Sequence, residues 1–297
     1  MDRVRLSEDL SLSRIVYGMW RVGDDLDTSP ARICAKVDTC LAQGITTFDQ
    51  ADIYGDYGAE ELLGNCLRAH PSLRDRIEII SKCGIIAPVG PYADRRVKYY
   101  DTSAAHITAS VERSLRKLGT DRIDLLLIHR PDPLMDHRET GAALDGLVSA
   151  GKVKAVGVSN FASHDVTLLA SAMTTPLVTN QIEMSLTANQ AFTNGQLAFL
   201  QEAGIAPMAW SPLGGGKLFA GDDPDLVNGL KEIADDCGAG LAAVAVAWLL
   251  AHPAGIIPVM GTNNLDRISN LSAAFNVPMD RQRWFDLYRL ANGQDVA

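Results

Sequence analysis

Several features that would define a function class are missing from this sequence. The five cysteines are odd in number and form no Cys-X-X-Cys pair, which favours reduced thiols in a cytoplasmic protein over a disulfide framework. The histidines lack the spacing of metal ligands, so we expect no metal centre. No GxGxxG motif follows a predicted strand, which argues against a Rossmann dinucleotide site.

Charge and hydropathy exclude further classes. The net charge of the 297 residues is −9 and no basic stripe is present, so nucleic acid and membrane surfaces are poor partners. The most apolar stretch, residues 241–251, is too short to span a bilayer, and the first residues lack the apolar run of a signal peptide. Hydrophobic residues make up 47% of the chain, which is enough for a large core without disulfide or metal support.

Short apolar or β-branched runs alternate with longer segments of helical period. Predicted strands include residues 15–17, 45–48, 77–81, 123–128 and 256–260, and predicted helices include 103–118, 141–150 and 284–290. Eight strand–helix units, with an extra helix before the last strand, predict a single-domain α/β fold, a (β/α)₈ TIM barrel over residues 1–297. We also expect an N-terminal hairpin, and a lid in the irregular stretch 85–100.

Titratable residues follow three successive predicted strands, where barrel enzymes carry their reactive groups. Asp49, Lys82 and His129 end these strands, and Tyr54 lies five residues after Asp49. Carbonyl reduction needs a proton for the developing alkoxide, and a tyrosine with a pKa of about 10 is a poor donor at neutral pH. A neighbouring ammonium would lower that pKa, so Lys82 could activate Tyr54, Asp49 could hold Lys82, and His129 could bind the substrate oxygen.

These four residues, in this order, resemble the catalytic tetrad of the aldo-keto reductases. Segments 48–55, 111–129 and 151–161 resemble further motifs of that family, and the similarity extends over about residues 15–271. Segments 129–136 and 210–216 are most similar to a bacterial branch of it. The resemblance implies a barrel oxidoreductase that reduces aldehydes or ketones to alcohols with NADPH, with Tyr54 as general acid.

The resemblance also implies a set of cofactor contacts. Ser159, Asn160 and Gln181 are expected at the nicotinamide carboxamide, and Trp210 is expected to stack on the ring. The other expected contacts are Gly18, Met19, Trp20 and Asp49 near the first strands, Ser211, Pro212, Leu213, Gly214 and Lys217 along the diphosphate, and Gly261, Thr262, Asn263, Arg267 and Asn270 at the adenosine end. Arg267 suits a 2′-phosphate, so we expect NADP to be preferred, although Gly261 replaces a lysine common in the family and NADH remains open.

The expected substrate is a small carbonyl compound, and the expected state of the protein is a monomer. The predicted substrate contacts are Trp20, Tyr54, Tyr57, Tyr99, His129 and Arg130, with Ile53, Gly84 and Tyr100 beside them. Arg130 could attract an anion or pair with Asp132 or Asp136, and Cys83 is expected to be a buried packing residue.

Alternatives to a reductase remain open at this point. An NADP(H)-binding regulatory or sensor protein with slow turnover would resemble the same family, although the complete tetrad favours an enzyme. A barrel hydrolase would need a second carboxylate beside Asp49, for which Asp52 is the nearby candidate.

Overall fold

A computed structural model describes residues 2–220 and 223–297, and its centre is a closed barrel of parallel strands. The strands are β1 (Arg3–Arg5), β2 (Ser11–Ser13), β3 (Val16–Gly18), β4 (Thr47–Asp49), β5 (Glu78–Cys83), β6 (Ile85–Ile86), β7 (Tyr99–Tyr100), β8 (Ile123–Ile128), β9 (Val153–Ser159), β10 (Leu177–Glu183), β11 (Ala206–Trp210) and β12 (Ile257–Met260). The barrel takes β3, β4, β5, β8, β9, β10, β11 and β12 in chain order, and β12 pairs with β3 to close it. This confirms the predicted (β/α)₈ fold.

Helices follow the barrel strands along the chain. They are α1 (Pro30–Leu41), α2 (Tyr54–Tyr57), α3 (Ala59–Ala69), α4 (Ala104–Leu118), α5 (His137–Ser149), α6 (Ser163–Ala170), α7 (Gln196–Glu202), α8 (Pro224–Cys237), α9 (Leu241–Leu250), α10 (Leu265–Ile268) and α11 (Arg281–Asn292). Capping side chains fix the starts of several helices: the Ser29 side chain accepts a hydrogen bond from the amide of Arg32 at the start of α1. The Asp136 side chain caps α5, so this helix begins four residues before the predicted start at 141.

The barrel interior and the N-terminal hairpin form one apolar core. Val16, Ile80 and Leu125 belong to a buried cluster inside the strands, and each such side chain contributes roughly 1.5–3 kcal/mol by leaving water. Strands β1 and β2 pair antiparallel, and Leu10 and Leu12 of this predicted hairpin pack into the same cluster. The hairpin therefore covers the end of the barrel where the strands begin, and the other end is left for the site.

A larger core lies between the strands and the surrounding helices. It includes most of α9, which is apolar on all sides because almost every residue of it is buried. Trp248 of α9 stacks on Trp284 of α11 with ring centroids 4.8 Å apart, and each indole N–H donates to the other residue's carbonyl oxygen. These paired contacts hold the predicted C-terminal helix against the outside of the barrel.

No single helix in the described ranges is long and apolar enough to cross a membrane. Helices α8 and α9 together satisfy the criteria of length and composition, but they meet at a bend of 94°. Residues Ala243 to Leu249 of α9 are buried in the core described above.

The prediction of reduced cysteines is wrong for one pair. Cys34 of α1 and Cys66 of α3 form a disulfide, with their Cα atoms 5.4 Å apart, while Cys40, Cys83 and Cys237 are free. The two half-cystines are separated by 32 positions in the chain and meet because α1 packs against α3. Spacing along the sequence carried no sign of this contact.

Part of the stretch 85–100, predicted to be irregular, is regular structure. Strands β6 and β7 pair antiparallel, with Ile85 opposite Tyr100 and Ile86 opposite Tyr99. The hairpin begins directly after β5 at Gly84, where φ is +103°, a value that glycine adopts without strain. The segment is therefore anchored at its base beside the end of β5.

Candidate active site

Four polar side chains converge at the ends of β4, β5 and β8. Lys82 Nζ donates to Asp49 Oδ2 at 2.7 Å and to Tyr54 Oη at 3.0 Å. The ring of His129 meets the ring of Tyr54 edge-on, with centroids 5.8 Å apart. Parallel pairing of β4 with β5 and of β5 with β8 aligns the strand ends. The structure thus brings together the four residues that the sequence singled out.

The turn after β4 positions Tyr54 but removes Tyr57 from the pocket surface. Gly55, Asp56 and Tyr57 all have positive φ, and the two non-glycine residues each carry strain on the order of 1–3 kcal/mol. The Tyr57 side chain is buried, and its hydroxyl donates to the Ile85 carbonyl and accepts from the Ala87 amide. Tyr57, predicted as a substrate contact, instead supports the base of the 85–100 segment.

Burial and the neighbouring charges shift the pKa values of Tyr54 and Lys82 in opposite directions. Burial raises the pKa of Tyr54, and the charge of Lys82 only partly opposes it, so the expected net lowering is wrong. Burial acts to lower the pKa of Lys82, but Asp49 and Tyr54 together raise it. Tyr54 and Lys82 are therefore both protonated at neutral pH.

His129 stays neutral in this setting. Burial lowers the pKa of its imidazole well below the ordinary value, and the charges of Lys82, Arg130 and Lys98 lower it further. Its Nδ1 atom is buried and has no hydrogen-bond partner among the described residues. Burial also raises the pKa of the neighbouring Cys83 thiol well above its usual range, as expected for an inert packing residue.

Gln181 makes a contact that the sequence did not reveal. Its Nε2 donates to Asp49 Oδ1 at 2.9 Å, so Asp49 is held by Lys82 on one oxygen and by Gln181 on the other. The two residues stand on β10 and β4, which lie on opposite sides of the barrel and far apart in the chain. Only closure of the barrel makes this bond.

The residues expected at the nicotinamide form one hydrogen-bonded network. Asn160 has a φ of 63° and donates from Nδ2 to Ser159 Oγ and to the His129 carbonyl. Its Oδ1 accepts from Trp210 Nε1 at 2.9 Å, and Ser159 Oγ donates to the Gln181 carbonyl. The network joins the ends of four neighbouring strands, β8 to β11.

The glycine run after β11 exposes its backbone. Gly214, Gly215 and Gly216 all have positive φ, the conformation in which consecutive amides can surround an anion. Apart from its chain neighbours, a Cβ on Gly216 would meet nothing within 4 Å among the described residues, and one on Gly215 would meet only Arg21 Nη2 there, at 4.0 Å. Two of these glycines therefore leave open space in which a ligand could approach the chain.

The predicted adenosine contacts differ in their surroundings. Asn263 Nδ2 donates to the Arg21 carbonyl and its Oδ1 accepts from Lys36 Nζ at 2.8 Å, so its side chain braces neighbouring elements. Arg267 is exposed, and no carboxylate lies within 4.0 Å of it in the described ranges. Asn270 Nδ2 donates to the Asp266 carbonyl.

The first and last barrel strands approach closely at their ends. A Cβ on Gly261, which stands where the family resemblance leads one to expect lysine, would lie 3.1 Å from the Gly18 carbonyl oxygen, so a larger residue here would require a small shift of the strand end. Met19, expected to contact the cofactor, is fully buried, and the Thr262 carbonyl accepts from the Tyr17 hydroxyl.

Arg130 does not form the ion pair considered as an alternative. Its guanidinium carbon lies 5.8 Å from the centroid of the Trp210 ring. Asp132 instead accepts from the amide and hydroxyl of Thr102, and Asp136 caps α5. Arg130 therefore presents its charge at the pocket beside Trp210.

Exposed side chains surround the mouth of the cluster. The side chain of Trp20 is 58% exposed and that of Tyr99 is 37% exposed. Lys98, next to Tyr99, is exposed and close enough to His129 to influence its pKa. Lys98 is not among the predicted contacts, because it does not stand at the end of a predicted strand.

The chain is similar to known proteins along almost all of its length. The Aldo/keto reductase family profile matches residues 14–291. A relative from Agrobacterium fabrum, 6-dehydroglucose reductase, is 63% identical over 297 residues and the whole length of both chains, and the uncharacterized oxidoreductase YcsN of Bacillus subtilis is 43% identical over the whole length of both. An aldo/keto reductase from Klebsiella pneumoniae, crystallised with NADP and acetate, superposes with a TM-score of 0.79 at 27% identity, covering 97% of this chain and 95% of that one.

Proposed function

Because the chain belongs to the aldo/keto reductase family, we propose that it reduces an aldehyde to a primary alcohol with NADPH. The observation that carries the proposal is the buried contact of Lys82 Nζ with both Asp49 and Tyr54, at 2.7 and 3.0 Å. A tyrosine beside a fixed ammonium, at the open end of a barrel, is suited to protonating a developing alkoxide.

The residues at the barrel end fit a nicotinamide dinucleotide. The open backbone of Gly215 and Gly216 suits a diphosphate, and the exposed Arg267 suits the 2′-phosphate that distinguishes NADP from NAD. When bound, NADPH supplies the hydride for the carbonyl carbon. Asn160 and Ser159 supply polar groups for the carboxamide, and Trp210 supplies an aromatic face for the ring.

The chain's own residues then handle the proton and the substrate oxygen. Tyr54 Oη donates the proton, and Lys82 stabilises the phenolate that is left. The tautomer of His129 with its proton on Nε2 avoids a buried, unpaired N–H at Nδ1, and it directs a donor toward the carbonyl oxygen. Each turnover consumes one aldehyde, one NADPH and one proton, and it yields one alcohol and one NADP⁺.

We propose 6-dehydroglucose, or a closely similar sugar aldehyde, as the substrate. The Agrobacterium fabrum relative carries that activity in its name and matches this chain along its whole length. Lys98 and Arg130 offer charged donors to sugar hydroxyls, and the exposed ring of Trp20 offers a face for the C–H side of a sugar. Reduction of the aldehyde would give glucose.

The test follows NADPH consumption with 6-dehydroglucose, and with hexanal as an aldehyde of the same chain length without hydroxyl groups. We expect a higher kcat/KM for the sugar aldehyde. We also expect Y54F to lose turnover by about 10²–10⁴-fold while NADPH still quenches tryptophan fluorescence. NADPH binding without turnover of either aldehyde would contradict the proposal and would favour the sensor alternative.

A further inference from the structure

Residues 87–98, which connect β6 and β7, end at Lys98, close enough to the histidine of the candidate site to influence its pKa. We propose that Arg113 of α4 is a positioning residue that holds this connection in place through Tyr92, and that ionisation of Asp52 draws Arg113 away and releases it. The inference rests on the proposed reductase function and adds a pH-dependent control of substrate binding to it.

Tyr92 packs the connection against the rest of the protein. Its ring meets the ring of Tyr57 edge-on, with centroids 5.2 Å apart, and the Arg113 guanidinium carbon lies 5.6 Å from the Tyr92 ring centroid. Two residues earlier, a Cβ on Gly90 would lie only 2.7 Å from the Asp56 carbonyl oxygen. The backbone of the connection therefore lies directly on the turn after β4, and the cation beside the Tyr92 ring adds to this attachment.

The Arg113 side chain lies between Tyr92 and a buried carboxyl group. Its Nη2 donates to Ser110 Oγ at 3.0 Å but lies 3.9 Å from Asp52 Oδ2, beyond hydrogen-bond reach. Arg113 Nε and both carboxyl oxygens of Asp52 have no hydrogen-bond partner in the described part of the chain. A shift of about 1 Å would bring the guanidinium and the carboxyl group to the distance of a charge-assisted hydrogen bond.

The charge of Asp52 decides whether that shift is favourable. Burial, and secondarily Glu60, raise the pKa of Asp52 to about 8, although the charge of Arg113 opposes them. An uncharged carboxyl group attracts a guanidinium only weakly, so Arg113 stays beside Tyr92 at neutral pH. A buried carboxylate without a partner is costly, so ionised Asp52 should recruit the cation that already lies next to it.

The other titratable groups around this pair can be separated from Asp52. Burial raises the pKa of Tyr57, in the same turn, to about 12 and that of Cys83, on β5, well above its usual range, so both stay uncharged up to pH 9. His106 of α4 faces the same arginine, and burial lowers its pKa, so it is neutral above pH 7. Burial also raises the pKa of Glu60 on α3, and this carboxyl group is the one that a variant must distinguish from Asp52.

Steady-state kinetics with NADPH and 6-dehydroglucose at pH 7 and pH 9 test the role of Asp52. At pH 9 roughly one molecule in ten keeps Asp52 protonated, so KM for the aldehyde should rise about tenfold if only that form holds the connection in place. D52N should abolish the rise in KM, while its kcat follows the pH profile of the wild type. E60Q should keep the rise.

Substitutions of the other two residues test the contact between them. R113Q should have the raised KM at both pH values, and R113K, which keeps a cation beside Tyr92, should restore part of the affinity at pH 7. Y92F keeps the ring and should behave like the wild type, whereas Y92L should have the raised KM at both pH values.

Hydrogen–deuterium exchange measures release of the connection without any turnover. The amides of Ala87, Tyr92, Ala93 and Arg95 are hydrogen-bonded, so their exchange reports opening of the segment. After correction for the intrinsic effect of pH, peptides from residues 87–98 should exchange faster at pH 9 than at pH 7 in the wild type. In D52N the two corrected rates should be equal.

Two results would overturn the inference. A rise in KM and in exchange that persists in D52N would assign the titration to another group, and its loss in E60Q would identify that group as Glu60. Wild-type KM and wild-type exchange in R113Q would show that Arg113 does not position the connection. A wild-type protein without turnover would refute the proposed function, and the exchange measurement would still decide the roles of Asp52 and Arg113.

Discussion

Asp49 and Asp52 stand three positions apart, are equally buried at 2% exposure, and differ in nearly everything else. Asp49 is bonded to Lys82 and to Gln181. Asp52 has Arg113 Nη2 at 3.9 Å, beyond hydrogen-bond reach. Burial, and secondarily the nearby Glu60, raise the pKa of Asp52 to about 8. Equal burial thus gives different chemistry, because direct partners decide whether a buried carboxylate can carry charge.

The difference follows from where the two side chains lie relative to the barrel. Asp49 is the last residue of β4, and its partners come from β5 and β10 at the open end of the barrel. Asp52 lies in the following turn, and its charged neighbours come from helices α3 and α4. The carboxylate that a hydrolase would need beside Asp49 therefore belongs to the helical layer, which supports the choice of a reductase.

The largest expected effect is the loss of Asp49. We expect D49N to lower the free energy of unfolding at pH 7 by about 3–5 kcal/mol, because it leaves Lys82 buried without its counter-ion. D52N makes the same chemical change three positions later, removes no close counter-ion, and should not destabilise the protein at that pH. Urea unfolding of the two variants measures the difference, and similar losses in both would refute the contrast between the two carboxylates.

A smaller effect is expected when only the second partner of Asp49 is removed. Q181M keeps the length of the side chain but deletes the bond to Asp49 Oδ1, which should cost about 1.5–3 kcal/mol. In a D49N background, Q181M should lower the free energy of unfolding by much less, because D49N has already altered the acceptor of the hydrogen bond from Gln181. A double-mutant cycle of unfolding free energies measures this coupling, and strictly additive losses would exclude a direct Gln181–Asp49 interaction.

The smallest expected effect is a pH dependence that comes from Asp52. Its folded-state pKa is raised above the unfolded value, so its stabilising contribution is complete in acid and is lost as the pH rises toward about 8. D52N removes that loss, and its stability relative to the wild type should grow by about 1.4 kcal/mol between pH 6 and pH 7. Urea unfolding at pH 6 and pH 7 measures the difference in unfolding free energy between D52N and the wild type. The same difference at both pH values would show that Asp52 is already ionised in the folded protein at pH 6.

The sequence indicated the polar cluster at the strand ends better than the contacts that support it. Asp49, Lys82 and His129 could be found because parallel strands place their last residues at one end of a barrel. The Gln181 contact, the Cys34–Cys66 pair and the buried position of Tyr57 could not be found, since each depends on segments that meet only after folding. Lys98 could not be predicted either. It directly precedes β7 in the hairpin of β6 and β7, and no local sequence pattern shows where that hairpin points.

What the sequence determined by itself was the alternation of strands and helices and the residue types at the strand ends. Local periodicity and capping groups such as Ser29 suffice for that, because they act over a few residues. Tertiary structure alone decided which buried groups carry a charge, which glycines have open space beside their backbone, and which arginine lies next to them. These properties depend on distances between residues far apart in the chain, as Arg21 and Gly215 illustrate. Electrostatic energy changes steeply over such distances in a partly buried site, so small differences in packing separate Asp49 from Asp52.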